Sequence, residues 1–192
     1  MWELLHWTLL YDSDTHGLST NRLTHHVFSY QAQTVNMISF EDHVYLVASE
    51  EAWKDSTQRW GGQNCITIQL FPKYRVIQTG ADMLFLNLSS RNLPKGFQFG
   101  KDSKTVILEV DEGMTRVKHY GIQTKLERFE TWGCGAPEIR DKQIAQKQWE
   151  QMDVERHKNR KLRLEDWKDS PDRMLLELGG VKVTYSEEHP NE

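Results

Sequence analysis

A mainly β protein of the α+β class is expected from three features of this 192-residue chain: a two-sheet antiparallel β-sandwich with short flanking helices and a long charged C-terminal helix. Period-two alternation dominates residues 34–132, turn signals punctuate it, and no helix-length pattern separates the alternating segments. Alternation places successive side chains on opposite faces of a sheet. Without intervening helices, parallel βαβ units and the nucleotide-binding sheets built from them are not expected.

The elements follow in chain order. Residues 1–11 (MWELLHWTLLY) are apolar but carry Glu3 and His6 and lack a basic start and a small-residue cleavage site, so they read as structure rather than as a signal peptide. Ser19 or Thr20 is placed to cap a helix running to about Phe28, with Leu23, Val27 and Phe28 as its buried stripe. Strands are expected at 34–40, 43–49, 64–70, 74–78, 83–88, 105–110 and 125–131, with a short turn at 50–54. In the third of these, Ile66, Ile68 and Leu70 face one way and Thr67 and Gln69 the other, and Pro72 stops it. Gly61-Gly62, Thr79-Gly80, residues 92–96 and Glu112-Gly113 supply the turns.

After Gly133-Cys134-Gly135 the character changes. Residues 137–168 hold nine basic and seven acidic residues in 32 positions, and Pro137 suits a first helical turn. Ile139, Ile144, Trp149, Met152 and Val154 are too sparse for a core helix, so this is a solvated helix leaning one narrow stripe on something. Ser170-Pro171 reads as a further cap, 174–178 as a short helix ended by Gly179-Gly180, and 181–185 as a last strand. The domain plan is therefore a sandwich at 1–135, a charged helical extension at 136–185 and a disordered acidic tail at 186–192.

Composition removes several functions. With 24 Lys+Arg against 28 Asp+Glu, a net charge of −4, no basic surplus exists to hold a nucleic-acid backbone. Two cysteines, Cys65 and Cys134, cannot form a disulfide scaffold, and a reducing, cytoplasmic setting is the default. No run approaches the roughly 20 apolar residues of a spanning helix, so membrane association would come through a partner or the surface.

The constellations that could carry chemistry each have a simpler reading. Asp12-Ser13-Asp14-Thr15-His16-Gly17 resembles the start of a calcium loop, but the twelfth position is Leu23 and not a bidentate glutamate. An aspartate-nucleophile phosphatase would need a parallel sheet, so a turn leading into a helix is the better account. His16, His25, His26 and His43 lack the i, i+4 pairing of a zincin, and the cysteines form no CxxC. Cys134, between glycines, is a candidate redox thiol, with an exposed turn cysteine as the plainer alternative. Seven tryptophans fit core and junction positions better than a sugar-binding row. Residues 156–163 carry five fixed positive charges and no acid, a solvated helix end that also suits an acidic partner. Catalytic residues, cofactors and metal ligands are not expected. The candidate partner-binding residues are Trp149, Met152, Arg156, Arg160 and Arg163.

Four blocks in order resemble the TLDc domain of the oxidation-resistance proteins. They are Trp7-Thr8-Leu9-Leu10-Tyr11 with its turn through Gly17 to Ser19; Val44 to Ser49 followed by Trp53; Trp60-Gly61-Gly62 through Cys65 to Pro72; and Phe129-Glu130-Thr131-Trp132-Gly133. The match spans about 7–135. Tyr45-Leu46 and the stretch from Gly96 to Lys104 depart from the family pattern and mark a divergent member. The resemblance implies a sandwich without cofactor or active site, which binds and regulates the vacuolar proton-pumping ATPase and contributes to resistance to oxidative stress. It also implies structural roles for Trp7, Tyr11, Gly17, Ser19, Gly62, Pro72, Glu130, Trp132 and Gly133, with Glu130 and Trp132 locking the last strand to the helix layer. A weak antioxidant enzyme using Cys134 or Cys65 is the alternative from another class. A further alternative is the interaction piece of a larger scaffold, because a start at Met1 leaves no room for the upstream domain that family members often carry.

Overall fold

The computed structural model describes residues 7–102, 104–158, 175, 178 and 179. The chain divides into two compact units, Met1–Lys147 and Gln148–Glu192. The first is a mainly β sandwich of two antiparallel sheets.

Its chain order begins with β1 (Thr8–Asp12), the short α1 (Ser13–His16) and α2 (Thr20–Val27). Asp12 caps α1: its backbone is extended, and its side chain accepts the Asp14 amide at 3.0 Å. Gly17 ends α1 at a φ of 79°, and the Tyr11 hydroxyl donates to its carbonyl at 2.7 Å. Ser19 is the N-cap of α2 by backbone geometry, but its side chain makes no capping bond. Leu23 and Val27 are buried on α2, as their spacing predicts, whereas Phe28, the third residue of the expected stripe, is the C-cap and only partly buried against the core.

The strands continue with β2 (Thr34–Phe40), β3 (His43–Ser49), β4 (Ile66–Phe71), β5 (Arg75–Thr79), β6 (Leu84–Asn87), β7 (Gly96–Phe99), β8 (Leu108–Val110), β9 (Arg116–His119), β10 (Ile122–Lys125) and β11 (Arg128–Gly133). One sheet has the order β1-β11-β2-β3-β4-β5 and the other β10-β9-β8-β7-β6. The inner faces meet in one core, in which Ile38, Tyr45, Val47 and Phe129 of the first sheet join Leu84, Leu86, Phe97, Phe99, Leu108 and Val117 of the second. The ends of β2 and β3 match their expected bounds. Of the strands after α2, three do not appear in the sequence reading: β7, β9 and β10. β9 and β10 each hold a single apolar residue, Val117 and Ile122, so no apolar alternation arises in them, and β7 begins at a glycine that reads as a turn. Gly96 sits in this strand because a Cβ there would run into the Val110 carbonyl, at a φ of 106°. The β9–β10 turn is made by Tyr120 and Gly121, both at positive φ, the two-residue geometry that matches strand twist.

In β4 the interior takes Thr67, opposite Val47, while Ile66 and Ile68 point outward and a bulge near Leu70 breaks the alternation. Strand pairing aligns the outward residues into two rows. Leu9, Trp132, Val35, Ala48 and Ile66 form one; Asp12, Glu130, Met37, Leu46, Ile68 and Val76 form the other.

The charged helix is α3 (Pro137–Lys158). Residues 159–168 of the expected helix, the 170–171 cap, most of the 174–178 helix, the 181–185 strand and the 186–192 tail lie outside the described residues. Its first half belongs to the sandwich unit. Ile139 packs on the core, and the nearly inaccessible Gln143 donates to the His26 carbonyl at 2.9 Å and to Ser29 Oγ at 3.0 Å, fastening α3 to the end of α2.

Candidate functional site

Two surface features outside the core concentrate chemistry. One lies on the outer face of the first sheet, where β1 meets β11. Arg128, Glu130 and Trp132 occupy alternate positions of β11 and therefore share one face. The Arg128 guanidinium bridges Asp12 at 3.1 Å, Asp14 at 3.1 Å and Glu130 at 2.7 Å, and the Trp132 indole N–H donates to the second Glu130 oxygen at 2.9 Å. Asp12 and Glu130 are 6% and 8% exposed, so they need these partners. Burial works to raise the Asp12 pKa, but the Asp14 amide and Arg128 outweigh it and hold the group below its usual range.

Glu130 and Trp132 thus pair with each other and, through Arg128, with the α1 cap. The resemblance implies that they lock β11 to the helix layer; here both side chains point away from the sandwich interior, and the link to a helix runs from Glu130 through Arg128 to Asp12, the cap of α1, and Asp14 within it. The other motif residues are placed as follows. Tyr11 is buried, Trp7 is half exposed at the start of β1, and Pro72 follows β4 across a cis peptide. A Cβ on Gly62 would overlap the Glu50 carboxylate, and one on Gly133 would lie 2.5 Å from the Tyr30 ring. Both positions are close approaches that leave no room for a side chain.

The second feature is the distal half of α3, in the second unit. Trp149, Met152 and Arg156 lie at i, i+3 and i+7 and form one stripe. Trp149 is 63% and Met152 59% exposed, and Arg156, His157 and Lys158 make the last turn basic. Arg160 and Arg163 lie outside the described residues.

The histidines gather in two places. The His16 and His26 rings lie with centroids 4.0 Å apart, tilted by 32°, and His16 Nδ1 accepts the Asp12 amide at 3.1 Å. Burial, followed by the charges of His16, Lys147, His25 and Arg140, lowers the His26 pKa to about 4. His43, the first residue of β3, and His119, the last of β9, have ring centroids 4.8 Å apart, with His119 Nε2 at 2.7 Å from the Tyr45 hydroxyl. Among the described residues, no group of three or more His, Cys, Asp or Glu is arranged to hold a metal ion.

Both thiols are free, and burial pushes both upward from the usual cysteine value. That direction lowers the thiolate fraction at neutral pH, the opposite of what a reactive cysteine needs. Sequence reasoning missed Arg128 as the centre of the outer cluster. The i, i+2 spacing of Arg128, Glu130 and Trp132 was the available signal. Their approach to Asp12 depends on pairing between strands 116 residues apart.

The class of protein that this fold defines is a two-sheet antiparallel β-sandwich with flanking helices. The TLDc domain model matches residues 3–144, and the chain belongs to that family. The match runs through the first turns of α3. A search of curated proteins finds no match to this chain. No described helix is long and apolar enough to cross a membrane.

Proposed function

We propose that this chain is a non-enzymatic TLDc interaction module that acts in the cytoplasm and docks on the peripheral sector of the vacuolar proton-pumping ATPase. Through that contact it regulates the pump and contributes to oxidative-stress resistance. The family match supports the class of function. The single observation that carries the docking element is the α3 stripe of Trp149, Met152 and Arg156, because large apolar side chains left exposed beside a cation suit a partner surface. On this reading the sandwich is the scaffold, and the residues after 135 supply reach and specificity, with Arg160 and Arg163 extending the basic end.

The test mixes the full chain with assembled ATPase and records both co-sedimentation of the peripheral sector and ATP hydrolysis. Trp149→Ala, Met152→Ala and Arg156→Glu together should weaken co-sedimentation by about tenfold or more without lowering the melting temperature. Equal binding by the triple variant removes α3 from the interface. No binding by the unmodified chain at micromolar concentration means that the fold is present without this partner.

A further inference from the structure

We propose that the outer face of the six-stranded sheet is a second docking surface, which seats an amphipathic helix of a protein partner whose apolar stripe ends in a lysine or arginine. This inference does not rest on the α3 reading.

Two rows of outward residues cross the sheet, and together they are apolar over four adjacent strands: Met37 on β2, beside a Val35 that is itself buried, Leu46 and Ala48 on β3, Ile66 and Ile68 on β4, and Val76 on β5. Val44 and Phe71 extend the patch, with Phe71 half exposed. The usual pattern of an antiparallel sheet with one solvated face is apolar inward and polar outward. Here β4 inverts it, with Thr67 buried and Ile66 and Ile68 outward. At a strand spacing of about 4.8 Å, four strands are wide enough for one helix about 10 Å across.

Charge decides which amphipathic partner fits. The β1–β11 end of the face carries Asp12, Asp14 and Glu130 around the single Arg128, so three carboxylates against one cation leave two negative charges in excess. Asp12 and Glu130 are nearly buried, whereas the Asp14 side chain, also paired with Arg128, is 60% exposed and can meet a partner cation. An apolar segment that brings a Lys or Arg to this corner gains a charge-assisted bond. The same corner repels an anionic lipid surface, so the charge selects a peptide over a membrane.

The test measures fluorescence anisotropy of a labelled synthetic helix with one leucine face and one lysine face, titrated with the full chain at physiological salt. A counterpart with every lysine replaced by glutamate is run in parallel, together with phosphatidylcholine vesicles with and without phosphatidylserine. The lysine helix should bind at least about tenfold more tightly than the glutamate helix. Leu46→Lys with Ile68→Lys should cost about tenfold or more, and Asp14→Lys a smaller but clear loss. Ile122→Lys, on the other sheet at an exposed position, should leave binding unchanged. Circular dichroism and melting of each variant separate lost binding from lost fold. Equal binding of both peptides, indifference to the Leu46 and Ile68 changes, or a preference for vesicles overturns the proposal. So does concentration-dependent self-association abolished by those same changes, which would make a second copy the occupant.

Discussion

Arg128 is where sequence-distant charge is reconciled. Its guanidinium is shared by Asp12, Asp14 and Glu130, two of which are nearly buried, so its removal strands carboxylates that water reaches poorly. Because Arg128 is itself 44% exposed, solvent softens the loss. Arg128→Ala should lower unfolding free energy by about 1–2 kcal/mol in urea titration, with Arg128→Lys recovering part of it by charge but without the fork. No change in the midpoint would show that Asp12 and Glu130 are satisfied without the arginine. The glycines act differently at this scale: Gly133 is required because the Tyr30 ring occupies the place of a Cβ. Cys134 illustrates a residue whose chemistry depends on surroundings, since burial raises its pKa and makes the thiol a poorer nucleophile than its glycine-flanked position suggests.

Among the elements, α3 has two characters along one helix. Its first half is fastened by a single buried amide: Gln143 satisfies the His26 carbonyl at the end of α2, a group that its own helix leaves open. Gln143→Ala should cost about 1–2 kcal/mol and speed hydrogen exchange in the last turn of α2 and the first turns of α3, while the β-sheets stay protected. Unchanged exchange there would mean that Ile139 alone holds the helix. Sequence patterning found α3 and its solvated nature but not this contact, because a glutamine in a charged run carries no periodic signal. It found α2 through Leu23 and Val27, and β2 and β3 through alternation bounded by turns. It missed β7, which starts at a turn-like glycine, and β9 and β10, which hold one apolar residue each; pairing, not propensity, makes them strands.

Across the molecule, stability should depend on acid through the histidines packed between elements. His26 faces His16 after β1, His25 on its own helix, and Arg140 and Lys147 on α3, and its pKa falls from 6.5 to about 4. A histidine held neutral in the fold takes up its proton more readily when unfolded. Its contribution is therefore whole above about pH 6.5 and is lost as pH falls toward 4. His119, lowered by burial and by His43, adds in the same direction. Asp12, whose pKa is lowered from 3.8, has the carboxylate dependence: its contribution stands above that value and disappears below it. Denaturant titrations should show stability declining from pH 7 to pH 4.5 by on the order of 2 kcal/mol, with His26→Gln flattening much of that slope. A flat profile in the unmodified chain would refute the assignment.

The amino-acid order alone specifies the class of fold, the ends of the central hairpin, the charged helix and the family, because each rests on patterns within one short segment or on motifs met in sequence. The three-dimensional fold assigns the partners. Which face of β4 is buried, why Arg128 meets Asp12, and how Gln143 reaches α2 all depend on residues far apart in the chain that approach only when the sheets close. Alternation states that two faces exist; it does not say which of them the second sheet will cover. That choice leaves an apolar sheet face and an acidic corner outside the core.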